Sequence, residues 1–239
     1  MSLFDAQISP FERFLAAARR SGKLITCSPP RRPWPAGQSL VLAEDAACEL
    51  GNPSVGSAFA LLWSDSAEIG QGRVLRVGAD LNALAGKSAS LGLFVLLRAA
   101  VTDREYERYT QARDLIVETR LAGLMTRMLP ARQNVWCRVS RDAAAAGFTF
   151  GHWGHALLEK LAALDFVAGA DVLFVANDAG ELAALTEAAQ EAGRVVAALS
   201  KLHNEPHAEC SQCEFTAICN SVEDLRRIRN RIMTGRQNG

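Results

Sequence analysis

Two stretches of this sequence, SLGLFVLLRAA at residues 90–100 and ADVLFVAND at residues 170–178, are apolar at nearly every position. Runs this short with no polar side fit strands buried on both faces of a sheet. SLVLAED (39–45), SAFALLWSD (57–65) and GRVLRVGADL (72–81) read as further strands, with GNPSVGS supplying the glycines and proline of a turn. Helical patterns cover 11–20, 103–128, 140–146, 154–164 and 179–199. Early strands, a helical middle and a late strand–helix unit predict an α/β layered domain with a mixed β-sheet. The expected organisation is an N-terminal helix and proline-rich loop (1–38), the α/β domain (39–200), and a cysteine-bearing tail with an arginine-rich helix (201–239).

The chain's 239 residues, 49% of them hydrophobic, can bury a sizeable core. Its 26 basic and 26 acidic residues give no net field to gather nucleic acid or an anionic membrane, so neither is an expected partner. No run approaches the roughly 18 apolar residues of a membrane span, and the first ten residues lack the order of a signal peptide. A cytoplasmic location follows as the expectation. In a reducing compartment clustered cysteines read as metal ligands or redox groups, whereas the isolated Cys27, Cys48 and Cys137 read as small buried residues.

Three of the six cysteines crowd into HAECSQCEFTAICNS. Cys210 and Cys213 have two residues between them, the spacing of a tight turn around one metal, and Cys219 can close on the same centre. Zinc would take a fourth ligand from His207 or His203, and an iron-sulfur cubane from a distant residue, of which Cys27 in its proline-rich loop is the first candidate. Three free thiols are the remaining alternative. After the cluster, Ser221 is placed to cap a helix whose Leu225, Ile228 and Ile232 share a face.

Between residues 127 and 141, Arg127, Arg132, Arg138 and Arg141 surround Trp136. Guanidinium groups fork onto phosphates and an indole face stacks on adenine, so a nucleotide-bearing ligand such as coenzyme A would suit them. Arginines covering helix ends and a core tryptophan would look the same in sequence. His152 and His155 in FGHWGHALLE are spaced to share a helix face, without an evident nucleophile or carboxylate to complete a catalytic set.

NVWCRVSRDAAAAGF resembles the Asn-x-x-Trp-x-Arg-Val-Ser segment in the middle domain of acetyl-CoA synthase, the nickel enzyme partnered with carbon monoxide dehydrogenase. GRVLRVGADL, GKSASLGLFV and EDAACELGNP are similar to neighbouring stretches of that domain, and the likeness runs from about Leu40 to Leu199. It implies the synthase's middle-domain fold, a coenzyme A-facing surface at Trp136, Arg138 and Arg141, and a cubane (4Fe-4S) held by the tail cysteines. CSQC stands where the synthase has its first cysteine pair, whereas its Cys-Gly-Cys nickel ligands have no counterpart in these residues. The resemblance therefore implies an accessory or electron-transfer subunit of a carbon monoxide dehydrogenase/acetyl-CoA synthase-like or corrinoid system. The alternative is a zinc-stapled assembly factor without redox chemistry.

Overall fold

Residues 3–205 and 213–237 are described in the computed structural model of the chain. The apolar runs become the centre of a five-stranded mixed sheet in the order β1 (Ile25–Cys27), β4 (Val74–Gly78), β9 (Gly169–Ala176), β6 (Leu91–Arg98), β3 (Ser57–Ser64). β6 and β9 run antiparallel, and each has a parallel neighbour on its other side, β3 and β4 respectively. The burial expected of both runs is observed: Leu93, Phe94, Val95, Val172, Leu173 and Phe174 are fully inaccessible.

Register decides which helix covers which face. Phe94 lies opposite Leu173 and Leu93 opposite Phe174, so Phe94 and Phe174 point to opposite sides. Phe11 of α1 (Asp5–Arg20) meets Phe94 edge-on at 5.1 Å, while Phe150 and Trp153 of α4 (Phe150–Leu161) lie 4.5 and 5.2 Å from Phe174. α5 (Ala179–Asn204) packs beside α1, and α2 (Glu105–Val117) packs against both α4 and α5. Helices on both faces give the layered α/β architecture expected from sequence.

One buried charge sits in this sheet. Asp171 is fully inaccessible, yet its carboxylate accepts the backbone N–H groups of Gln71 and Arg73 at 2.9 Å each and pairs with the Arg73 guanidinium at 2.6 Å. A buried carboxylate is tolerable where its lone pairs are used in this way. It fixes the turn that leads into β4.

A second sheet, of four strands, is ordered β5 (Ser88–Ala89), β2 (Ala46–Leu50), β8 (Asn134–Ser140), β7 (Leu124–Leu129). It joins the edge of β3, where the Phe59 N–H donates to the Gln133 carbonyl at 2.7 Å and the Ser57 hydroxyl donates to the Val135 carbonyl at 2.6 Å. Val135, Cys137 and Val139 turn inward to the core, leaving the alternate residues of β8 outward.

This sheet holds the main departures from the sequence reading. The 39–45 stretch forms no strand; Val41 is buried while Leu40 and Leu42 stay exposed, and pairing begins at Ala46. The helix expected over 103–128 ends at Val117, and 124–129 is a strand, because its pairing with β8 offers a complete ladder that outweighs local propensity. α1 begins at Asp5 with Pro10 inside it, as burial of Phe4 and Ile8 holds the extra turn in place.

Beyond α5, α6 (Thr216–Ser221) and α7 (Glu223–Gln237) fold back on it. Ser221 closes α6, its hydroxyl donating to the Ile218 carbonyl, and does not cap the following helix. Among the described residues no helix is long and apolar enough to cross a membrane.

Candidate functional site

Trp136 and Arg138 stand on the outward face of β8, two residues apart in a strand whose intervening Cys137 is buried. Glu49 of β2 lies directly opposite Arg138 in the antiparallel ladder. Its carboxylate takes the indole N–H of Trp136 at 2.7 Å and pairs with the Arg138 guanidinium at 3.2 Å. That guanidinium also lies over the indole, 4.9 Å from the ring centre, and reaches the Val41 carbonyl at 3.4 Å. Three side chains from two strands thus form one locked, half-exposed unit.

On the neighbouring strand, Arg127 sits in register with Trp136 and is exposed. Arg132, in the short 3-10 turn between β7 and β8, and Arg141, the first residue of α3 (Arg141–Ala145), are exposed as well. Ser140 positions Arg141 by capping α3, its hydroxyl accepting the Ala143 N–H at 3.1 Å. Among the described residues Arg127, Arg132 and Arg141 make no ion pair, whereas Arg138 is neutralised by Glu49. The face accordingly offers a half-exposed indole edge with the Arg127 guanidinium on the adjoining strand, while Arg132 and Arg141 stand beyond the two ends of β8; such groups can take phosphates or carboxylates.

Sequence reasoning found the arginines and the tryptophan but missed Glu49. The signal was present in the alternation of Cys48, Glu49 and Leu50, which puts one polar side chain outward between two buried neighbours.

The metal-ligand candidates are distributed differently. Cys213 precedes α6 and is half-buried, Cys219 is buried within it, and Cys210 and His207 lie outside the described residues. The Thr216 hydroxyl donates to the Cys213 carbonyl at 2.8 Å and holds the first turn of α6. Thiol ligands of this kind, one just ahead of α6 and one within it, are the type that suits thiophilic iron or zinc. Among the described residues no three His, Cys, Asp or Glu side chains form a group able to hold a metal.

Cys27 does not sit in a free loop. Three residues of ladder pin it in β1 opposite Val74, at the edge strand of the larger sheet, with Arg76, Asp80 and Gly151 as its neighbours. His203 projects from the last turn of α5 toward Tyr106 and Glu107. Cys48 and Cys137 remain thiols, burial pushing the former up to about 11 and the latter well above its ordinary range.

His152 and His155 each take a separate partner. His152 completes a capping box, its Nδ1 accepting the Thr149 N–H at 3.2 Å, and its ring rests on Trp34 and Phe148. His155 turns its Nε2 toward the Cys27 carbonyl at 3.4 Å.

A sequence model of the family described as CO dehydrogenase/acetyl-CoA synthase complex beta subunit matches residues 36–179. That span contains both outward strands of the Trp136 face and ends at the first residue of α5, before the cysteine tail. No curated protein matches the chain.

Proposed function

The chain belongs to the CO dehydrogenase/acetyl-CoA synthase complex beta-subunit family, and from that premise we propose that it serves as an accessory or electron-transfer subunit in carbon monoxide or one-carbon metabolism. The observation that carries this reading is the coincidence of the family match with the Trp136–Arg138–Glu49 unit and its unpaired arginines. A family of complex subunits supports a protein partner, here another subunit of a carbon monoxide dehydrogenase/acetyl-CoA synthase-like or corrinoid system.

Two finer elements belong to the proposal. Trp136, Arg127, Arg132, Arg138 and Arg141 bind coenzyme A, the free guanidinium groups taking its phosphates. Cys210, Cys213 and Cys219 ligate one iron-sulfur cluster, with the fourth position filled from the partner, solvent or another residue. Such a cluster, when bound, would supply a one-electron couple; the chain's part is to provide thiolates, among them Cys213 just ahead of α6 and Cys219 within it.

Anaerobic purification with iron, sulfide and zinc analysis tests the cluster. A brown protein with iron and sulfide, both lost in the Cys210→Ser/Cys213→Ser/Cys219→Ser variant, is expected. Colourless protein with stoichiometric zinc would replace this reading with a zinc-stapled assembly factor. Calorimetry with coenzyme A tests the face: saturable binding is expected, weakened by Trp136→Ala, which removes the stacking face, and at least tenfold by Arg138→Ala, in line with about 1.5–3 kcal/mol for a charged hydrogen bond. Absence of binding to the intact protein removes coenzyme A from the proposal.

A further inference from the structure

Away from the Trp136 face, a groove of about 710 Å³ separates the proline-rich loop from α4. One wall comes from Pro29, Pro30, Pro33 and Trp34; the other is the stripe of α4 that carries His152, His155, Ala156 and Glu159. The groove is built rather than incidental. The Trp34 indole N–H is tied to the Ala122 carbonyl at 2.8 Å, and its ring is wedged against Phe148 and His152, each 4.9 Å away. Ala156, small and central in the stripe, leaves the space between the walls open.

Among the groove's lining residues none is Lys or Arg, and Glu159 is the one carboxylate. The three prolines have no backbone N–H to donate. Glu159 forms no ion pair among the described residues, so its carboxylate is an acceptor without a cation. His155, directing Nε2 at the Cys27 carbonyl, leaves Nδ1 as a second acceptor, and the (i, i+4) spacing sets it beside Glu159 on the helix surface. A volume of this size, apolar walls and a few convergent polar groups are the features of a small-molecule site.

We propose that this groove binds an organic cation: a primary ammonium or guanidinium group on an apolar or aromatic stem, its charge on Glu159 and His155 and its stem between Trp34, Pro33 and Ala156. A carboxylate ligand would meet Glu159 as a like charge and find no proline N–H to compensate. The site is independent of the coenzyme A and cluster assignments, since none of its residues belongs to either.

The probe is phenethylamine, titrated into the full chain by calorimetry, with 3-phenylpropionate as the oppositely charged control. Saturable binding of the amine is expected, with no detectable binding of the carboxylate. Glu159→Gln weakens amine binding about tenfold or more, the scale of a charge-assisted hydrogen bond. Ala156→Trp, which fills the groove from a partly buried position in the middle of the stripe, abolishes it while circular dichroism stays unchanged. Equal binding of the two probes, full affinity in Glu159→Gln, or no saturable amine binding to the wild-type chain each overturns the proposal.

Discussion

Glu49 governs what the Trp136 face has to offer, because one carboxylate holds both the indole N–H and the Arg138 guanidinium. Partial exposure of the pair keeps its contribution to stability at about 1 kcal/mol or less. Its consequence for binding is larger, since a guanidinium already paired with a carboxylate has less to give a phosphate. Glu49→Gln should leave the urea midpoint nearly unchanged and tighten the coenzyme A isotherm severalfold; weaker binding in this variant would mean that Glu49 orients the site and does not compete for it. His152 carries a second prediction at this scale. Burial, with a smaller contribution from His155, lowers its pKa, and Asp80 opposes them. The folded state then binds the proton less readily than the unfolded state, so the stability linked to His152 is complete above its ordinary value of 6.5 and is lost as pH falls through that value toward the lowered one. Urea unfolding between pH 7.5 and 5.5 should show this loss, and His152→Asn should flatten the slope.

Among the elements, the legible ones were those whose pattern is dictated locally. The apolar runs of β6 and β9 were readable because burial on both faces leaves no polar position, and α5 was readable from its 3.6-residue periodicity. β7 and β8 were not, because LMTRML carries helix-favouring residues and becomes a strand only by pairing with NVWCRVS, whose outward arginine and tryptophan mask its alternation. Legibility of the site followed the same rule. Trp136 and Arg138 were found as residues, but the register that brings Glu49 to them is a tertiary fact. The packing of α4 on the sheet offers a test at this scale. Gly154 faces Val74 and Phe174, and a Cβ there would overlap the Val74 methyl groups. Gly154→Ala gains helix propensity of about 1 kcal/mol but must push α4 off β4, an overpacking cost of about 1–3 kcal/mol. Net destabilisation is expected in chemical denaturation; a stabilised variant would show that α4 can shift freely.

At the scale of the whole molecule, the two ends of the chain meet different fates. Cys27, expected in a loop free to reach the tail, is instead the last residue of β1 and is held opposite Val74 by the β1–β4 ladder. The tail itself is tied to the body: Leu225 is fully buried, Ile228 nearly so, and Arg231 reaches the buried Glu105 of α2 at 2.9 Å. Asp224, buried beside Arg227, has its carboxyl pushed up by that burial, so it resists docking while ionised and the apolar contacts of Leu225 must outweigh it. Leu225→Ala removes those contacts at a cost of about 2–5 kcal/mol. Because α6 and α7 attach through α5 and α2 and add no strand to either sheet, the loss should appear as local opening and not as global unfolding. Amide exchange should accelerate across 216–237 while β6 and β9 keep their protection, and any iron bound by the tail should be released more readily. Equal acceleration in β6 and β9 would show instead that tail and body unfold as one cooperative unit.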